Sequence, residues 1–145
     1  MTENFEAIDV NSYWFVGAAY DGVDQTSRFI ETGIWEINPE ANPIDSVKFI
    51  EAGDRIAIKS TYTRKNELPF DNRGHTVSVM LIKAIGTVIE NVGDGNHLKV
   101  DWDNSFTPKE WYFFTSRNTV WRVIPETALR VNLIDFAFDG KAQDI

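Results

Sequence analysis

Residues 77–91 read VSVMLIKAIGTVIEN, and after Val92 comes the turn sequence Gly93-Asp94-Gly95-Asn96. A run that is apolar and β-branched on both faces cannot lie at a solvated edge, so it is read as a central strand covered from two sides. Gly86 interrupts it and is expected to mark a bend or bulge. The Gly-Asp-Gly-Asn turn is a hairpin signal. Beyond it Leu98, Val100 and Trp102 alternate with Lys99 and Asp101, the pattern of a half-buried strand. The fold must therefore be built around an antiparallel pair whose first strand is enclosed.

The remaining segments supply what can enclose it. Residues 13–18 are aromatic and β-branched and read as a buried strand; Asp21-Gly22 marks a turn. Residues 24–26 offer helix N-cap chemistry, and 27–32 form a short helix ended by Gly33. A loop with Pro39 and Pro43 leads to residues 44–52, where Ile44, Val47, Phe49 and Ile50 have near-helical spacing until Gly53 stops them. Residues 55–62 return to strand with Ile56 and Ile58 on one face, and 64–74 are a polar loop. Residues 111–114 and 119–124 read as short strands and 127–136 as a closing helix. About six strands joined by hairpins and three helices imply an α+β chain: a small, curved, mostly antiparallel sheet or partly open barrel flanked by helices. One domain over residues 1–145 is expected, with 1–11 poorly ordered.

Composition narrows the function. The chain has 145 residues, 43% of them hydrophobic, which is enough for a core. It has no cysteine, which removes disulfides, thiolate nucleophiles and zinc–thiolate sites and fits a cytoplasmic protein. No apolar run approaches the ~20 residues of a membrane span, so no membrane partner is expected. His75 and His97 have no second ligand at metal spacing, and nucleophile-elbow, Walker and His-Glu-x-x-His motifs are absent. Gly93-x-Gly95 lacks the third glycine and following helix of a dinucleotide loop, and Asp101 and Asp103 sit in a polar turn. The expectation is a binding module with no cofactor and no catalytic residue. Its net charge of −8 argues against tight non-specific binding to nucleic acid.

Two groups of residues point to a ligand. The first is the segment 12–36, which carries Trp35 just after Gly33, with Asp24 at a helix start. Tryptophan is the side chain best suited to stacking on another flat ring. Asp24 reads either as a reader of a ring edge or as an ordinary helix cap. The second is basic: Lys59, Arg64, Lys65 and Arg73, with Arg117 and Arg122 as a weaker cluster. These read either as phosphate contacts or as a solvated loop.

The same residues carry a resemblance. Ser-Tyr-aromatic, a strand, an acidic–amide helix cap and Gly33-Ile34-Trp35 are similar to the start of YTH domains, which belong with EVE domains to the PUA-like superfamily. Gly53-Asp54-Arg55-Ile56-Ala57-Ile58 resembles the Gly-Asp-strand element of EVE domains, and Val100-Asp101-Trp102 the Val-Lys-Trp strand of YTH domains. The block IAIKSTYTRKNELPFDNRGHTVSVMLIKAIGTV, with EWYFFT and TVWRV, resembles the N-terminal domains of McrB-type restriction proteins, which precede an AAA+ GTPase motor. The resemblance runs over residues 12–145.

It implies a reader of a modified base in double-stranded DNA, with a nuclease subunit as a possible partner of the full-length protein. The base would flip into an aromatic cage, and N6-methyladenine, 5-methylcytosine and 5-hydroxymethylcytosine all remain open. Trp35 matches the cage tryptophan. Asp24, the Glu36 backbone and Ser60 are the candidates for hydrogen bonds to the base edge, and Lys59, Arg64, Lys65 and Arg73 for phosphates. The second cage tryptophan of YTH domains has no counterpart, because the matching loop here is GDGNH. Tyr62 is the first candidate for that wall and Tyr20 the second, with Trp111 and Trp121 as alternatives; Trp14 and Trp102 are assigned to the core. A reader of modified RNA and a protein-interaction domain are the alternative functions.

Overall fold

The computed structural model describes residues 12–144 and is organised about the strand at 77–91. In chain order the elements are β1 (Tyr13–Val16), β2 (Ala19–Tyr20), β3 (Val23–Asp24), α1 (Thr26–Thr32), β4 (Ile34–Glu36), a 3-10 turn (Asp45–Phe49), β5 (Arg55–Arg64), β6 (Val77–Asn91), β7 (His97–Trp102), β8 (Lys109–Tyr112), β9 (Val120–Val123) and α2 (Ala128–Asp139). The expectation for residues 1–11 falls outside the described part. Among the described residues no helix is long and apolar enough to cross a membrane.

β6 is central, as its two-sided apolar pattern requires. β5 pairs with one of its edges over nearly its whole length, while β8 and β7 share the other edge. The path runs β4-β7-β6-β5-β1-β9, and β2 and β3 form a separate two-stranded hairpin. All pairings are antiparallel except β1 with β5. That parallel pair departs from the expected chain of hairpins. A parallel pair needs a long crossover, which α1, β4 and the 3-10 turn supply here. The helix expected at 44–52 is only this short 3-10 turn, and the turn expected at Asp21-Gly22 is the tip of the β2–β3 hairpin.

The sheet has a core on each side. Trp14, Val16, Ile56, Ile58, Ala84, Val88, Leu98 and Trp102 gather on one side with Phe29 and Trp35. Phe15, Ala57, Met80, Ile82, Ile85 and Trp111 gather on the other, beneath Leu133, Phe136 and Ala137 of α2. Thr127 caps α2 by accepting from the Arg130 N–H. β6 changes sides partway along: Met80 and Ile82 face α2, then Ala84 faces the opposite core. The register explains this, because Ile58 pairs with Ala84 and Lys59 with Ile82, leaving Lys83 as the extra residue of a β-bulge.

The bulges thus fall at Lys83 and Ile89, not at Gly86. Gly86 is in regular register with Ile56 and Trp102. It is glycine because a Cβ there would lie 2.7 Å from the Asp101 carbonyl oxygen and 2.8 Å from Val100.

The sheet curls into a half-barrel. β4 and β1 are four positions apart in strand order, which would separate them by roughly 19 Å in a flat sheet. Yet the Trp35 indole N–H donates to the Gly17 carbonyl, just beyond β1, at 2.9 Å. Asp54 anchors the other end of β1. This buried carboxylate accepts from the Ser12 N–H, the Trp14 indole and the Glu51 N–H at 2.9–3.0 Å.

Candidate functional site

Gly17, Ala19 and Ala41 are small, and around them the structure leaves room. A cavity of about 130 Å³ lies between β1, β4 and the loop after β4, lined by Tyr20, Trp35, Glu36, Ile37, Asn38 and Ile44 among others. This is below the roughly 300–1,000 Å³ of a drug-sized ligand pocket and is on the scale of one planar ring. A groove of about 180 Å³ adjoins it, sharing Gly17, Ala19 and Thr119, and is lined by Lys59, Ser60, Thr61, Lys83 and Arg117.

Trp35 floors the cavity, and its ring has no exposed surface. In this conformation it is a core residue and the staple that closes the curl; a ligand ring reaches its face only if the cavity opens. Tyr20 is the half-buried second wall. Its hydroxyl donates to the Glu36 carbonyl at 2.8 Å, its ring meets Phe29 edge-on, and the Arg28 guanidinium lies 5.8 Å from its centroid. Partial burial and then the Glu36 charge push its pKa up to about 12.

The Glu36 backbone is therefore engaged by Tyr20, which leaves one carbonyl lone pair for a ligand. The Glu36 carboxylate holds Arg28 at 3.1 Å and His97 Nε2 at 2.9 Å, and His97 Nδ1 in turn meets Asp94 at 2.5 Å.

Asp24 behaves as a turn residue. One carboxylate oxygen accepts from the Thr26 N–H at 3.0 Å and its hydroxyl at 2.6 Å, opening α1, and the other accepts from Lys83 at 3.0 Å. Partial burial pushes its pKa upward, but the Thr26 and Lys83 hydrogen bonds outweigh that and hold it below the usual carboxylate range. It sits at the edge of the groove through Lys83, not in the ring cavity.

Tyr62 is not brought to Trp35. It stands opposite Val79, packs with Val77 and Tyr112, and donates to Glu110 at 2.5 Å. It lines neither the cavity nor the groove. The chemistry that made it attractive is spent on Glu110, which also accepts from Tyr112 at 2.8 Å and pairs with Arg64 at 2.8 Å. The alternatives Trp111 and Trp121 belong to the core under α2. Trp14 and Trp102 are core, as expected.

The four basic candidates separate. Lys59 is buried, 4% exposed, and donates to the Ser116 and Asn118 carbonyls at 2.8 and 2.7 Å. Burial pushes its pKa down to about 8. Its ammonium fastens the β8–β9 connection onto β5 instead of projecting toward solvent. Arg64 is held by Glu110, with its Nε buried and without a partner. Lys65 and Arg73 are exposed on the loop after β5.

Ser60 lines the groove. Arg117, of the weaker basic cluster, lines it too, as does Lys83, which sequence reasoning passed over. The signal for Lys83 was present: a lone lysine inside a two-sided apolar strand must leave the core, and a bulge is how it does so.

No protein-family model, no curated protein and no solved structure matches this chain.

Proposed function

We propose that this chain reads a modified base in double-stranded DNA, as a PUA-like domain similar to YTH and EVE domains, in the manner of the McrB-type N-terminal domains it resembles. The observation that carries the reading is the ring-sized cavity between Tyr20 and Trp35 at the mouth of the curled sheet. Such a space suits one flipped base and excludes a larger ligand. Flipping costs a few kcal/mol, and stacking on an aromatic returns roughly 1–3 kcal/mol per base. A methyl group buried against Ile37 or Ile44 adds about 0.8 kcal/mol, a preference of several-fold. The short β2–β3 hairpin carrying Tyr20 is the element that has to yield for a base to reach Trp35.

Titration of duplexes that differ in one modified base tests this. The native chain is expected to prefer the modified duplex by about fourfold. Ala41→Trp, at an exposed residue lining the cavity, is expected to plug it and abolish the preference with the fold intact by circular dichroism. Equal binding of modified and plain duplexes by the native chain overturns the reading.

A further inference from the structure

We infer that the groove beside the cavity is an oxyanion site that takes a DNA phosphodiester, with Lys83 and Arg117 as its charged contacts.

Two cationic side chains, Lys83 and Arg117, line one space of about 180 Å³, with the buried Lys59 in its wall, in a chain whose net charge is −8. Like charges gathered in one groove repel unless an anion lies among them. Among the described residues the one carboxylate that meets them is Asp24, which pairs with Lys83. Arg117 makes no hydrogen bond or ion pair with the described residues, so none of its five N–H donors is spent on them. Lys59 spends two of its three N–H donors on the Ser116 and Asn118 carbonyls, which sets Arg117 between the two carbonyls it fastens. Ser60, Thr61 and Thr119 also line the groove, and their hydroxyls have no hydrogen-bond partner among the described residues.

Lysine and arginine together with hydroxyl residues are the donor set of a phosphate site. A carboxylate ligand would leave most of those donors unused. The backbone supports the assignment. Lys83 is the extra residue of the bulge that redirects β6, and bulges re-aim side chains beside functional sites. The groove shares Gly17, Ala19 and Thr119 with the ring cavity, so a base in one would place its own backbone at the other.

The identity of the anion rests on the base-reading proposal; the site itself does not. The test measures affinity for modified and plain duplexes between about 50 and 200 mM salt for the native chain, Arg117→Gln, and Lys83→Gln combined with Arg117→Gln. Arg117→Gln removes an exposed, uncommitted side chain and leaves the fold unchanged. The expected result is a tenfold or greater loss at low salt for the double variant. The salt slope should fall by about one per residue removed, with the modified-to-plain ratio unchanged. Unchanged affinity and slope in both variants overturn the phosphodiester even if the ratio stays above one. A slope that falls while the native ratio equals one keeps the groove and overturns the base cavity. Inorganic phosphate, titrated alone and followed by amide shifts of residues 59–61 and 117–119, forms the third arm. Saturation by phosphate with no effect of either variant on DNA binding assigns the groove to a free oxyanion and overturns the phosphodiester.

Discussion

Two regions of this molecule are built from the same three side chains. At the mouth of the half-barrel, Tyr20, Glu36 and Arg28 meet: the tyrosine hydroxyl donates to the glutamate backbone, and the arginine pairs with its carboxylate. On the far extension of β5, Tyr62, Glu110 and Arg64 meet in the same way, with the hydroxyl on the carboxylate itself. In both, partial burial and then a glutamate raise the tyrosine to about 12. One trio borders a cavity and the other does not. The difference lies in the neighbours. Gly17, Ala19 and Ala41 surround the first, whereas Leu68, Phe70, Val77 and Val79 fill the space about the second. The same three side-chain types border a cavity in one place and form a clamp in the other, and packing volume decides which.

The largest effect that can break this contrast is at Trp35. Trp35→Ala is expected to cost roughly 3–5 kcal/mol in urea unfolding, because it removes a wholly buried indole and its bond to Gly17. A loss under 1 kcal/mol would mean that the first region is as open as a surface site.

Lys59 lies on β5 where the inner core gives way to the clamp. Its proton leaves the native state at about 8 but the unfolded chain at 10.5. Between those values the unfolded chain binds more protons, so stability rises with pH. The rise is about 3 kcal/mol, fully present above 10.5 and absent below 8. Lys59→Met is expected to lose it, and chemical denaturation of both chains from pH 7 to 10.5 gives the difference. A parallel pair of curves shows that Lys59 is not a buried ammonium.

The smallest effect sharpens the comparison most. Tyr62→Phe strands part of a hydrogen-bonded carboxylate and is expected to cost about 1–2 kcal/mol, with no change in DNA preference. Tyr20→Phe is expected to cost about 1 kcal/mol or less and to alter the modified-to-plain ratio. The reverse assignment of the two tyrosines would restore Tyr62 as the cage wall.

Much of the sheet was legible because it rests on local patterns. The limits of β6, the turn at 93–96 and the alternation of β7 come straight from periodicity and glycine placement. So does α1, closed by Gly33 in the left-handed conformation. The parallel pairing of β1 with β5 was not legible, since hydrophobic pattern carries no strand direction. Nor was the bulge at Lys83, which depends on register against β5. At the site, Trp35 was found by its sequence context but its complete burial was not. Tyr20 and Tyr62 look alike in sequence and part only in what packs around them. Arg117 gained meaning only when the β8–β9 connection was seen to lie across β5 on the Lys59 ammonium.

Trp35 holds the two ends of the sheet together and also forms the floor of the cavity. In a cell the two duties become inseparable. A change at Trp35 would show first as lowered abundance, because a domain that has lost several kcal/mol is cleared by proteases before its binding can be assayed. A genetic screen would score it as a missing protein, and the ligand contact would stay hidden. The substitutions that test the proposed base reading are those on the rim of the cavity and groove, where Ala41 and Arg117 carry none of the curl.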